Sequence, residues 1–250
     1  MNKYELLNIR DGKARRIIAL RDIPRYNVKE GDLGGWVESE RNLSHEGDCW
    51  IGGNARVDCH AQVCGNALVF DNAQVYGSAL VDGNALVSDN ARVYGRAQVG
   101  GNAHVGGDAW VDGSAQVDDN AVVDGNAWVT GRVQVFGNAW VGGSAWLASD
   151  ARIDGNAVVD GDARVGGDAQ VGGSAWVARR GVITSTQDYL VVGPIGGESD
   201  HITFCRTASD IWVRCGWFNG ALSDFIKDNR CAQEYIETVN YARSVFERRS

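Results

Sequence analysis

Small side chains recur at every sixth position along the middle of the chain. The series starts Leu43, Cys49, Ala55, Ala61, Ala67 and runs to Ala175; Val133 is the only non-alanine in it from position 55 on. Two residues after each small position stands an aliphatic one, from Val57, Val63 and Val69 to Val177, with Leu147 and Ile153 as close variants. Residues two apart on a strand point the same way, so Ala and Val share an inner side and the residue between them faces out. Gly-Asn, Gly-Ser or Gly-Asp then fills the corner, as at Gly65-Asn66 and Gly83-Asn84, where a left-handed backbone is tolerated. A six-residue period of this kind predicts an all-β solenoid, with three hexads to a coil and about 7 to 8 coils rising roughly 4.8 Å each. A pentapeptide solenoid fails on period. A calcium-binding nonapeptide roll fails on period and motif, and an ice-binding helix lacks its threonine ladder.

The pattern changes at both ends, as it must where a solenoid would expose core and strand edges. Residues 1–36 carry Arg10-Asp11-Gly12-Lys13, a hairpin turn signal, before the apolar run Ile17-Ile18-Ala19-Leu20, and read as a small N-terminal β cap. Residues 37–180 form the solenoid. Residues 181–250 lose the hexad. Tyr189–Val192, Ile202–Arg206 and Ile211–Cys215 read as strands, Leu222–Lys227 as a helix, and Tyr235, Ile236, Val239, Ala242, Val245 and Phe246 follow helical spacing. This is a C-terminal α+β appendage.

Every third hexad falls on the same side, which sorts the outward residues into three faces. The first reads Gln62, Leu80, Gln98, Gln116, Gln134, Arg152, Gln170, a polar wall whose glutamines can bond from coil to coil. The second reads Trp50, Leu68, Leu86, His104, Val122, Trp140, Val158, Trp176. An apolar stripe of that length needs a cover: a symmetry mate, the C-terminal appendage of residues 181–250, or a partner, with self-association into a closed homo-oligomer the commonest answer. The third reads Arg56, Gln74, Arg92, Trp110, Trp128, Trp146, Arg164, with Tyr76 and Tyr94 just beyond its valines. Stacked indoles flanked by guanidinium groups fit a planar anionic ligand, so Arg92, Trp110, Trp128, Trp146, Tyr76 and Tyr94 are the candidate ligand-binding residues.

Composition narrows the class. The 250 residues include 33 Gly but only 2 Pro, which excludes collagen and Pro-rich linkers, and 44% hydrophobic residues with 9 Trp argue against Gly-rich disorder. A net charge of −8 argues against a general nucleic-acid surface. No apolar stretch is long enough to span a membrane, and Met1 to Arg10 lacks the apolar region of a signal peptide. The expected location is the cytoplasm, with Cys49, Cys59, Cys64, Cys205, Cys215 and Cys231 as free thiols. Cys59, His60 and Cys64 lie close in sequence but lack a fourth zinc ligand, so no metal site is expected.

The segment Gly31-Asp32-Leu33-Gly34-Gly35-Trp36-Val37-Glu38-Ser39-Glu40, with Asn42-Leu43-Ser44, resembles the opening of YdcK-like hexapeptide-repeat proteins of bacteria and phages. Val192-Gly193-Pro194-Ile195-Gly196 and Cys215-Gly216-Trp217-Phe218-Asn219-Gly220 resemble a tail of the phage-encoded members. The resemblance implies a single-stranded left-handed parallel β-helix and favours a trimer. It implies no catalytic residues. Other hexapeptide-repeat proteins are acyltransferases that take acetyl-CoA or an acyl-carrier donor at a subunit interface and use a histidine base. Of His45, His60, His104 and His201, only His104 projects from the middle of the repeat, and no insertion beside it supplies a lid. The expected function is therefore non-enzymatic and cofactor-free: a homo-oligomeric binding or scaffold protein that holds a partner or a nucleotide-like anion, in one form a phage sponge against host defence. An acyltransferase based on His104 is the alternative.

Overall fold

A computed structural model describes residues 2–178, 181–195, 200–207, 210–216, 218–228 and 233–248. Gly196, Trp217 and Cys231, singled out in the sequence, lie outside the described residues. The hexad folds as its alternation dictates. Each repeat contributes a two-residue strand, such as Leu86–Val87, and the alanine and valine on either side of the outward residue are fully buried. Each fully buried valine contributes ~1.5–3 kcal/mol.

Backbone bonding runs almost wholly between coils. In the hexad around Leu86, Asn84 N–H donates to Gly101 O at 2.6 Å, Leu86 to Ala103 O at 2.9 Å and Ser88 to Val105 O at 3.0 Å. Ala85 N–H closes the corner on Asp82 O at 3.1 Å. Repetition of this scheme gives three parallel ladders, of which the first is continued by two antiparallel cap strands into a sheet of 11 and the others have 8 and 7 strands, a parallel β-solenoid of about eight turns.

The corners fix the coil. From position 53 to 173 the first corner residue of every hexad has positive φ, and most of these residues are glycine. A Cβ on Gly83 would lie 2.8 Å from both the N and the O of Gly101 on the coil above, so the corner backbones stack in direct contact. Asp71, Asp89 and Asp119 take the same conformation. Their carboxylates accept from the next coil's amide, as Asp89 Oδ2 does from Gly107 N–H at 3.1 Å and Asp119 Oδ2 from Gly137 N–H at 3.0 Å.

The second corner residue adds a side-chain ladder. Asn66, Asn84, Asn102, Asn120, Asn138 and Asn156 bond in one file, each Nδ2 donating to the next Oδ1 at 2.9–3.2 Å. Coil-to-coil amide bonding, expected of the glutamine wall, thus runs chiefly along this corner. Within the wall one such bond is made, from Gln134 Nε2 to Gln116 Oε1 at 3.3 Å.

One reading of the repeat is corrected at its start. Leu43 does not occupy a small position. It pairs with Val63, and Val37 pairs with Val57, so the first coil holds 20 residues and the strict register begins at Cys49. The two extra residues fall in the segment Ser44–Asp48, and the N-terminal cap uses them. The Lys3 ammonium, fully buried, donates to Glu46 O, Gly47 O and Cys49 Sγ at 3.1–3.5 Å, and the Tyr4 ring stacks on His45 at 4.3 Å. Burial lowers the Lys3 pKa and raises that of Tyr4, whose hydroxyl donates to Leu43 O at 2.8 Å. The cap hairpin, Tyr4–Asp11 with Ala14–Ala19, is antiparallel and turns at Gly12; Leu33–Val37 joins its second strand and then pairs in parallel with Arg56–Val57. One sheet therefore runs from the hairpin into the longest solenoid ladder.

The appendage closes the other end. Tyr189–Ile195, Asp200–Arg206, Ile211–Cys215 and Phe218–Ala221 form an antiparallel sheet in that order, followed by α1 (Leu222–Lys227) and α2 (Gln233–Arg248). Alternation makes the second strand two-faced. Ile202 and Phe204 pack with Phe225 and Val239 in a separate core. Cys205 joins the solenoid core, and Thr203 Oγ1 accepts from Trp176 N–H at 2.9 Å. No described helix is long and apolar enough to cross a membrane.

Replacing Gly83 with alanine should cost about 1–2 kcal/mol for the left-handed backbone alone, and the clash with Gly101 should add to it. Gly173, whose added Cβ would meet nothing within 4 Å, should lose only the first part. Urea denaturation of Gly83→Ala and Gly173→Ala measures the difference, and equal midpoints would show that corner contact adds nothing.

Candidate functional site

The three ladders carry the three faces in the register expected from the hexad. Arg56, Gln74, Arg92, Trp110, Trp128, Trp146 and Arg164 are consecutive partners in one sheet. Trp50 through His104 to Trp176 are consecutive partners in the second, and Gln62 to Gln170 in the third.

On the ring face the aromatic side chains form one continuous file. Tyr76 and Tyr94 stack at 5.1 Å and are nearly parallel, and Tyr94 meets the Trp110 edge at 5.9 Å. Trp110 and Trp128 lie 5.7 Å apart at 63°, and Trp128 and Trp146 lie 6.2 Å apart at 30°. Such pairs contribute ~0.5–1.5 kcal/mol beyond area burial. Trp128 and Trp146 nevertheless remain 45% and 43% exposed. The Arg92 guanidinium lies 4.8 Å from the Trp110 ring centre and that of Arg164 lies 5.6 Å from Trp146. Neither takes part in an ion pair among the described residues, so their donor edges are free for an anion. Arg56 differs: it is paired with Asp58 and, at 2.9 Å, with Asp11.

Sequence reasoning missed the polar residues at this face. Asp112 accepts from Thr130 Oγ1 and faces the Tyr94 hydroxyl; burial and that carboxylate together hold the Tyr94 phenol above its ordinary pKa. A hollow of about 320 Å³ is lined by Asp108, Trp110, Asn126, Ala127 and Trp128. Sorting the corner residues by coil, as was done for the strand residues, groups Asp108 and Asn126 beside the tryptophans.

Among the described residues the apolar stripe is covered only at its ends. Trp50 is 3% exposed, beside Tyr26, Val28 and Leu33 of the cap, and the Arg214 guanidinium of the appendage lies 3.8 Å from the Trp176 ring. Leu86, His104, Val122 and Val158 are half-buried, and Trp140 is 36% exposed. His104 Nε2 lies 3.0 Å from Ser88 Oγ, which is itself 3.1 Å from Asp89 Oδ2. A carboxylate only accepts, so the single hydroxyl proton goes to Asp89 and His104 Nε2–H donates to Ser88. That nitrogen is engaged in a bond between coils, and the lone pair of the neutral ring then lies on Nδ1. Cys59 and His60 are exposed corner residues, and among the described residues no three His, Cys, Asp or Glu side chains come together in a way that holds a metal ion.

Stacked hexad coils with in-register side-chain ladders define a parallel β-solenoid repeat protein. Within that class, the family model described as YdcK Beta solenoid repeat matches residues 61–77 and 85–101, so these coils are similar to repeats of the YdcK type. No curated protein matches the chain significantly.

The thiols test the burial pattern. Cys205 is enclosed in the core, and burial pushes its pKa up to about 12. Iodoacetamide at pH 8 should label exposed Cys59 first and spare Cys49, Cys205 and Cys215 until the protein is unfolded. Peptide mapping that finds Cys205 labelled in the native protein would contradict the closure of the C-terminal end.

Proposed function

We propose that this protein is a non-catalytic, homo-oligomeric binding module that holds a ring-bearing ligand or partner along its aromatic face. The observation that carries the reading is the continuous file of five rings, two of them exposed tryptophans. Exposed indoles are unfavourable in water, and a soluble protein that keeps them in an ordered row has a use for them. The unpaired guanidinium groups of Arg92 and Arg164 stand at either end of the tryptophans and supply donors for anionic groups of a longer ligand. Self-association through the uncovered middle of the stripe, from Leu86 to Val158, belongs to the same reading, and the family resemblance favours three subunits. The hexad runs past His104 without an insertion that could form a lid, which favours a scaffold over acyl transfer.

Native mass spectrometry of freshly purified protein tests both parts. A trimer is expected, converting to monomer in Leu86→Glu and Val122→Glu while the melting transition is retained. A co-purified ligand mass is expected in the wild type and absent from Trp128→Ala. A wild-type monomer would remove the stripe from the argument, and a ligand mass retained in Trp128→Ala would remove the ring face.

A further inference from the structure

We infer that the hollow between Trp110 and Trp128 is a saccharide site that takes one neutral pyranose unit of a glycan. The inference rests on the ligand-face reading above and gives that face a ligand class.

The corner beside the ring face carries its own amide file, and this file breaks at the hollow. Asn54 donates to Asn72 at 3.4 Å, Asn72 to Asn90 at 3.2 Å and Asn90 to Asp108 Oδ1 at 2.9 Å. There the file stops. A carboxylate has no N–H to pass on, so Asp108 donates nothing to Asn126. Asp108 Oδ2 and the whole Asn126 carboxamide make no hydrogen bond among the described residues. At the corner carrying Asn66 to Asn156 the corresponding file is unbroken over all six residues. Exposed acceptors and an exposed N–H₂ with no side-chain partner among the described residues therefore stand beside the edge-to-face pair of indoles.

The walls choose among ring-shaped ligands. A flat base clamped between indoles needs them parallel and roughly 7 Å apart, twice the 3.5 Å contact distance. Trp110 and Trp128 instead meet at 63° with centres 5.7 Å apart. This edge-to-face contact leaves no slot for a flat base, and the exposed Trp128 suits a puckered ring, which rests its C–H face on the indole and turns its hydroxyl edge to the polar wall. There one hydroxyl donates to Asp108 Oδ2, and a neighbouring hydroxyl accepts from Asn126 Nδ2 and donates to Oδ1. The volume, about 320 Å³, is at the small end of ligand sites and has room for one sugar ring.

Charge excludes the simple anion here. The Asp108 carboxylate lines the hollow, whereas Arg92 and Arg164 stack on the far sides of the outer tryptophans. A phosphate or carboxylate meets repulsion at the polar wall, so the unit seated there is neutral. Trp146, the next ring along the axis, offers a platform to the following unit.

A glycan array covering neutral hexoses, N-acetylhexosamines, deoxyhexoses and uronates, followed by calorimetry with the best binder and with ATP, tests the site. Saturable binding of a neutral glycan is expected, at least tenfold weaker in Asp108→Asn, Asn126→Ala and Trp128→Ala, and unchanged in Gln98→Ala on another face. Asp108→Asn carries a second readout. Its new N–H₂ can donate to Asn126 and complete the file, so this variant should melt no lower than wild type while losing the glycan. A purely structural Asp108 would not separate the two effects. A blank array alongside ATP binding that is lost in Trp128→Ala would overturn the saccharide but leave the ligand face. Glycan binding indifferent to Asp108→Asn and Trp128→Ala would overturn the site. A blank array with no ATP binding and no co-purified mass would overturn both.

Discussion

Direct stacking of corner backbone on corner backbone is the contact on which the rest of this molecule depends. With Gly83 against Gly101, and the same contact repeated up each edge, two coils meet with no side chain between them. This holds the parallel strands at bonding distance although each strand is only two residues long. It also fixes the coil at 18 residues, and that number decides which side chains become neighbours. Strands of two residues have no stability alone. Here they form because each inherits its position from the coil below.

Once the coils are in register, equivalent side chains stack, and the protein's individuality lies in what it stacks. One corner carries six asparagines bonded end to end, one face carries five aromatic rings, and another carries half-buried aliphatic groups around a histidine tied to Ser88. These ladders differ in how completely they satisfy themselves. In the Asn66 file every carboxamide but the last donates to the next, and the file is structural. The ring face leaves two indoles and two guanidinium groups unspent. The stripe is covered by the cap at Trp50 and by Arg214 at Trp176, and is left open between them.

Most of the fold was legible in the sequence, because a six-residue period with glycine at the corner leaves few geometries open. The faces were legible for the same reason: once the coil is three hexads, sorting Trp110, Trp128 and Trp146 together is arithmetic. Legibility ended where the period did. Leu43 fits the small-residue series by spacing, yet it sits as an aliphatic residue, because two additional residues in Ser44–Asp48 restore the count. That segment provides the carbonyls for Lys3, a charge whose burial no local pattern announces. The polar half of the candidate site was missed for a different reason. Asp108 and Asn126 look like ordinary corner residues, and only bonding between coils shows that one file ends between them. His104 was correctly placed on the stripe, but its bond to Ser88, 16 residues away, is a property of the coil and not of the neighbouring sequence.

The 18-residue coil also governs how such a chain can change over generations. Duplication or loss of one whole coil would leave every downstream residue on its own face, lengthening or shortening each ladder by one rung. Duplication of a single hexad would preserve the fold equally well, yet it would rotate everything after it by a third of a turn, carrying indoles onto the glutamine wall and glutamines onto the stripe. Heritable length is thus quantised by the surface and not by the core, which cannot tell one hexad from the next. The two extra residues of the first coil lie at the one level where the layer beneath is the cap and not another coil.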